Sequence, residues 1–140
     1  DPLCRTDAAP GEGTGPWLMD RHEARQLADI AVMKRDADLA RLAGAAARLA
    51  RVGQMRMDIE AGLRRETLAA SDRGDPVGLV RLEGHVRFMQ QTLDRLATEI
   101  GRLEAERDEL RDKAARSFGR ASVLDELAAG LARAGRKGQG

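Results

Sequence analysis

The stretch "SDRGDPVG", residues 71–78, lies at the midpoint of the 140-residue chain and interrupts a sequence that otherwise has the pattern of helices. Gly74 can adopt the left-handed conformation that commonly ends a helix. Asp75 can cap the next helix, and Pro76 suits a first helical position, where the backbone donor has no intrahelical acceptor. The stretch therefore predicts a turn at residues 72–76 between two helices.

The sequence after the turn has a regular coiled-coil pattern. Apolar residues recur at alternating steps of three and four from Leu79 to Leu131, and only Arg107 and Ser117 interrupt them. An apolar stripe this narrow is buried only when a second helix covers it. The pattern predicts a second helix over residues 77–131 with a partner helix along its seam.

The sequence before the turn predicts a first helix over residues 20–71. Asp20 can accept a hydrogen bond from the first turn, and Glu23 stands three residues later, as in a capping box. The apolar stripe that follows is less regular and changes register near Val52. Its predicted members are Val32, Leu39, Leu42, Ala46, Leu49, Val52, Met55 and Ile59.

Two helices of similar length joined by a short turn are expected to be antiparallel neighbours. The predicted fold class is all-α, a long antiparallel two-helix coiled-coil hairpin over residues 19–131. Residues 1–18 are dense in glycine and proline, so we expect a disordered leader there. Residues 132–140 are rich in glycine and basic residues, and we expect a flexible tail.

The composition argues against several functional classes. The 24 basic and 23 acidic residues give a net charge of +1, which argues against a dedicated nucleic-acid binder. Cys4 is the only cysteine and supports neither an internal disulfide nor a zinc site. No apolar run reaches the length of a membrane span. We therefore expect a cytoplasmic protein with no cofactor, no metal and no membrane insertion.

No residue pattern indicates catalysis. His22 and His85 are the only histidines, and they fall in different predicted helices without a cysteine or carboxylate cluster at ligand spacing. The glycine-containing stretches in the leader and at the turn are too short for a phosphate-binding loop. We expect these histidines to be solvated helix residues and the protein not to be an enzyme.

Partner binding is the more informative hypothesis. Phe88 falls at heptad position c, which normally faces water, and Phe118 falls at position e. Met89 and Leu93 lie beside Phe88 in the part of the seam that is richest in large side chains. Two interpretations stay open for these four residues: a widened apolar stripe, or contacts with a partner protein.

The turn offers an alternative of another class. Asp72 and Asp75 are explained by chain termination and capping, with Gly74 between them. The same acidic residues would also suit a metal-directing tip, as on the coiled-coil factors that enter the secondary channel of RNA polymerase.

Over roughly residues 20–131 the chain resembles the FliJ/YscO family, the small coiled-coil components of flagellar and injectisome type III protein export machines. The resemblance is strongest in "HVRFMQQTLDRLATEIGRLEAERDELRDKAARSFGRASVLDELAAGL", residues 85–131. Its matching positions are Phe88, Met89, Leu93, Leu96 and Ile100 after the turn, and Leu124, Leu127 and Leu131 near the end.

The resemblance implies a non-enzymatic stalk of the export ATPase that also acts as a general export chaperone or adaptor. Its implied partners are the export ATPase ring, the export gate proteins and export chaperones, at the base of the flagellum. The alternatives are a generic coiled-coil scaffold or dimer and the polymerase regulator. Self-association is open under the first two readings.

Overall fold

The computed structural model describes residues 19–139, with side chains as far as Lys137. Helix α1 spans Arg21–Arg73 and helix α2 spans Pro76–Gln139. The two helices pack against each other, and the described residues contain no strand. This confirms the all-α helical hairpin. Neither helix has a stretch that is apolar enough to cross a membrane within the residues described. The predicted leader, residues 1–18, lies outside them.

The turn forms as predicted but is shorter. Gly74 has a φ of 64° and donates its backbone N–H to the Ala70 carbonyl at 3.3 Å, which ends α1. The Asp75 carboxylate accepts the Val77 N–H at 3.2 Å and so caps α2. Pro76 is the first residue of α2. Only Gly74 and Asp75 separate the helices, because Asp72 still belongs to the last turn of α1.

The start of α1 also follows the prediction. The Asp20 carboxylate accepts the Glu23 N–H at 2.8 Å, and the Asp20 carbonyl accepts the Ala24 N–H at 2.9 Å. Both bonds satisfy first-turn donors that have no partner within the helix.

Helix α2 is longer than predicted, whereas the flexibility of residues 132–140 stays a prediction. Helix α2 does not end at Leu131 but continues to Gln139. The helix is still in contact with α1 beyond that point, since a Cβ placed on Gly135 would lie 2.6 Å from an Arg21 guanidinium nitrogen. The positive charges of Arg136 and Lys137 also interact favourably with the negative, C-terminal end of the helix dipole. These effects outweigh the low helix propensity of the glycines.

The chain divides into two compact units, each built from both helices. The turn unit comprises Ala40–Asp112. The terminal unit comprises the described parts of Asp1–Leu39 and Lys113–Gly140. The two units have different cores.

The turn unit buries large side chains. Leu103 is 2% exposed and Leu63 is 9% exposed, while Ala45 is fully buried. The predicted seam of α2 holds through this unit, although it begins at Leu82 because Leu79 is 45% exposed. The half-buried seam members are Leu82, Val86, Met89, Leu93, Leu96, Ile100, Arg107 and Leu110.

The terminal unit buries small side chains instead. Its buried apolar residues are all alanines: Ala24, Ala28, Ala114, Ala121 and Ala128. Larger residues only flank them, since Met19, Leu124 and Leu131 are partly buried against the cluster that Ala24, Ala28 and Ala128 form. Helices can approach closely when the side chains between them are small.

The predicted stripe of α1 is partly wrong. Val32, Leu42, Leu49, Val52 and Ile59 are half-buried as expected, but Leu39, Ala46 and Met55 are exposed. The buried positions that the sequence reading missed are Ala24, Ala28, Asp38, Ala45 and Leu63. Four of these five are small or polar. A stripe predicted mainly from large apolar residues therefore misses them.

Candidate functional site

Phe88 lies outside the helix–helix contact of the turn unit. It is 57% exposed, as expected for heptad position c. It lies within helix α2, and its carbonyl accepts a hydrogen bond from the Thr92 hydroxyl at 3.2 Å. A large aromatic ring is therefore presented to solvent nearly two helical turns beyond the start of the seam at Leu82.

Met89 and Leu93, which were predicted to share this surface, lie on the seam instead. Both are half-buried. Met89 lines a shallow groove together with Ile59, Gly62 and Leu63 of α1. The predicted partner-binding set is therefore divided, with Phe88 facing outwards and the other two residues contributing to the packing of α2 on α1.

Phe118 belongs to the terminal unit and is 55% exposed. It follows Ser117, which is buried on the seam, so the ring lies beside the helix–helix contact rather than in it. Phe88 and Phe118 thus belong to different units.

The residues of the turn have structural roles in the described geometry. The Asp75 carboxylate is engaged by the Val77 amide, and Gly74 supplies the left-handed residue. Asp72 is exposed in the last turn of α1. Among residues 19–139 no three His, Cys, Asp or Glu side chains are grouped so that they could hold a metal ion. The presence of Gly74 and Asp75 is thus explained by their roles in ending α1 and capping α2.

Sequence reading missed a groove beside the turn. It has a volume of about 380 Å³ and lies between the last turns of α1 and the first turns of α2. His85 Nε2 lies 2.9 Å from a Glu66 carboxylate oxygen, and this pair stands in the groove wall. Its lining residues are Glu66, Ala70, Arg73, Asp75, Gly78, Arg81, Leu82 and His85.

Charges of both signs line this groove, and both members of the His85–Glu66 pair are more than two-fifths exposed. Such a surface suits water-mediated and polar contacts more than the binding of an apolar ligand. Only the register between the two helices could have indicated the pair, because Glu66 and His85 are distant in sequence.

A buried polar pair lies in the terminal unit. Asp38 and Ser117 are each 4% exposed, and the Ser117 hydroxyl donates a hydrogen bond to the Asp38 carboxylate. Lys34 Nζ lies 3.3 Å from the same carboxylate oxygen. Because both groups are buried, they need their hydrogen bonds to compensate for lost hydration.

Arg107, the charged seam residue singled out in the sequence, has a different environment. Its side chain is 29% exposed and pairs with the neighbouring Asp108 at 3.0 Å. The deeply buried charge-bearing position of the seam is therefore Asp38 and not Arg107.

Ion pairs cover the outer surfaces. Arg48 reaches Glu106 across the helices at 2.8 Å. The hydrogen bond from Arg102, together with its charge, lowers the pKa of Glu99 below its usual value. The hydrogen bond and charge of Asp29 raise the pKa of Arg25. Exposed pairs of this kind stabilise a fold only slightly.

No protein-family model matches the sequence, no curated protein resembles it significantly, and no solved structure has a significantly similar fold. The described geometry itself defines a two-helix hairpin whose most prominent unassigned features are exposed apolar side chains.

Proposed function

We propose that this chain is a non-enzymatic coiled-coil component of a bacterial flagellar or other type III protein export apparatus. In this role it acts as a stalk of the export ATPase and as a chaperone-like adaptor. The proposal rests on the resemblance of residues 85–131 to the FliJ/YscO family, together with the helical hairpin. It places the protein in the cytoplasm, at the base of the flagellum.

The exposure of Phe88 is the observation that carries the proposal. The seam of α2 is complete without this residue, so hairpin packing does not require an aromatic ring there. A ring that is 57% exposed is costly to leave in water and gains most from burial against a second protein. Phe88 also occupies the position that the family resemblance assigns to the export gate.

The arrangement of the turn unit suits an adaptor. A two-helix coiled coil buries only its seam, and the remaining faces of both helices are available for contacts. The export gate proteins, the ATPase ring and export chaperones are the proposed partners. Contacts with them need no catalytic group in this chain.

Replacement of Phe88 tests the proposal directly. Phe88→Ala is expected to reduce capture of the purified export gate by at least tenfold, because truncating an aromatic interface anchor commonly removes at least about 2 kcal/mol. Capture of the purified export ATPase is measured beside it. Binding is measured with purified proteins, and thermal unfolding is followed by circular dichroism.

Met57→Ala is the matched control, since Met57 is 58% exposed in the same unit. It is expected to leave both binding and melting unchanged. Wild-type protein that captures neither partner would remove the export role. A Phe88→Ala protein that binds normally, or that melts much earlier, would show that Phe88 is not the contact.

A further inference from the structure

One flank of the terminal unit carries apolar side chains that the helix–helix contact does not bury. On α1, Leu27 is 41% exposed and Ile30 is 60% exposed. On α2, Val123 is 65% exposed and Leu127 is 42% exposed. Because alanines fill the contact between the helices, these four larger residues are left on the outside. Grouped apolar exposure of this kind marks an interaction surface.

The structure places these residues on one flank. Arg25 and Asp125 form an ion pair across the helices at 3.4 Å, so both lie on the opposite flank. Leu27 and Leu127 each follow two residues later, which turns them by about 200° at 100° per residue. Both residues therefore lie on the other side of the hairpin. Asp38 meets Ser117 across the antiparallel helices, and Leu27 lies eleven residues before Asp38 while Leu127 lies ten residues after Ser117, so Leu27 and Leu127 are about level along the axis.

The remaining two residues extend the same surface. Ile30 follows Leu27 by three positions, and Val123 precedes Leu127 by four, so each is a neighbour on its own helix. We call the surface formed by Leu27, Ile30, Val123 and Leu127 the open flank. Beside it, Val123 and Leu124 line a shallow groove with Gly119 and the stems of Arg116 and Arg120.

Charge is distributed unevenly along the open flank. On α1, Glu23 precedes Leu27 by one helical turn. Lys34, whose exposed side chain also contacts the Asp38 carboxylate at 3.3 Å, follows Leu27 by one heptad. On α2, Arg120 precedes Leu127 by one heptad, which places it level with Lys34, and Arg116 lies one turn further. Along the helix axis, the open flank thus has an apolar centre, basic residues at one end and Glu23 of α1 at the other end.

We propose that the open flank binds the open flank of a second copy of this chain, with the copies running in opposite directions. In this two-fold arrangement α1 lies on α1 and α2 on α2. Leu27 of one copy then meets Ile30 of the other, and Glu23 meets Lys34. The result is a four-helix contact formed from two terminal units.

The charges select this direction. If the copies ran the same way, the three basic residues Lys34, Arg116 and Arg120 of one copy would face those of the other. Repulsion between these like charges disfavours that arrangement. When the copies run in opposite directions, the basic end of each open flank lies against the Glu23 end of the other. The surface is therefore self-complementary in one orientation only.

The size of the flank predicts a weak dimer. Four apolar side chains and one shallow groove bury less than the roughly 800 Å² per partner of a standard stable interface. We expect a reversible dimer with a dissociation constant in the micromolar range. The dimer needs no export partner and thus stands apart from the proposed function.

Sedimentation equilibrium of the full 140-residue chain tests the proposal. The experiment covers concentrations from about 1 to 300 µM, which bracket a micromolar dissociation constant. A reductant is present so that Cys4 cannot crosslink two chains. Wild-type protein is expected to shift from monomer to dimer across this range.

The double variant Ile30→Ser/Val123→Ser is expected to dimerise at least tenfold more weakly. Its helicity should be retained, because both side chains are more than half exposed. Met57→Ser is the matched control with an equally exposed residue in the turn unit, and it should dimerise like the wild type. A wild-type chain that stays monomeric, or a double variant that dimerises normally, would overturn the proposal.

Arg120→Glu tests the direction of pairing independently of the apolar centre. When the copies run in opposite directions, the new carboxylate faces the Glu23 end of the second copy and weakens the dimer severalfold. When they run the same way, it relieves repulsion between basic residues. A tighter dimer in this variant would contradict the proposed orientation.

Discussion

The turn unit and the terminal unit use the same heptad repeat but fill it differently. Leucines such as Leu63 and Leu103 occupy the core of the turn unit, whereas Ala24, Ala28 and Ala121 occupy that of the terminal unit. A leucine core stabilises through the apolar area that it buries. An alanine core buries less area and depends on close contact between the helix backbones.

This difference determines what remains on the surface. Where alanine fills the contact, the larger residues of the same helix, such as Leu27 and Ile30, stay outside. The buried polar pair of Asp38 and Ser117 also belongs to the terminal unit. The comparison indicates that the turn unit supplies more of the stability and that the terminal unit has apolar surface left for intermolecular contact.

The largest effect is expected for Leu103→Ala in the turn unit. Leu103 is 2% exposed, and its truncation should lower the free energy of unfolding by about 3 kcal/mol through lost burial and a new cavity. Urea denaturation followed by circular dichroism measures the change. Leu68→Ala in the same unit, at a site that is 68% exposed, should change it by less than about 0.5 kcal/mol. Equal effects would show that Leu103 is not a core residue.

An intermediate effect is expected for Ala121→Leu in the terminal unit. Ala121 is 2% exposed between closely packed helices, so the added side chain should destabilise by about 2 kcal/mol through overpacking. Ala115→Leu, at an exposed position of the same helix, is the control and should be nearly neutral. If Ala121→Leu stabilised the protein, the contact between the helices would be loose rather than close.

The smallest effect is expected for the coupling between Asp38 and Ser117. A double-mutant cycle with Asp38→Ala and Ser117→Ala should give a coupling free energy of about 1–2 kcal/mol, since the hydrogen bond is charge-assisted and buried. Denaturation of the four proteins yields this value. A coupling near zero would mean that Asp38 is held by its other interactions, such as that with Lys34.

Much of the turn and of α2 could be predicted from sequence. Gly74, Asp75 and Pro76 have local conformational preferences that act regardless of the rest of the fold, and the structure confirms each of them. The seam of α2 was predictable because large apolar residues mark it through most of the turn unit. The exposure of Phe88 follows from its heptad position once that seam is known.

The register of α1 and the groove beside the turn were not predictable in the same way. Ala24 and Ala28 are buried because of what lies opposite them, and alanine carries no signal that separates a buried site from an exposed one. The pairing of His85 with Glu66 depends on how the helices are staggered across the turn. The same limit explains the end of α2, where contact with Arg21 offsets a glycine-rich composition.

The contact between Gly135 and Arg21 has a practical consequence for experiments on this protein. It brings the last turns of α2 beside the first turn of α1, so a fluorescent protein or affinity tag fused after α2 starts next to the beginning of α1. Such a fusion would crowd the terminal unit and mask self-association.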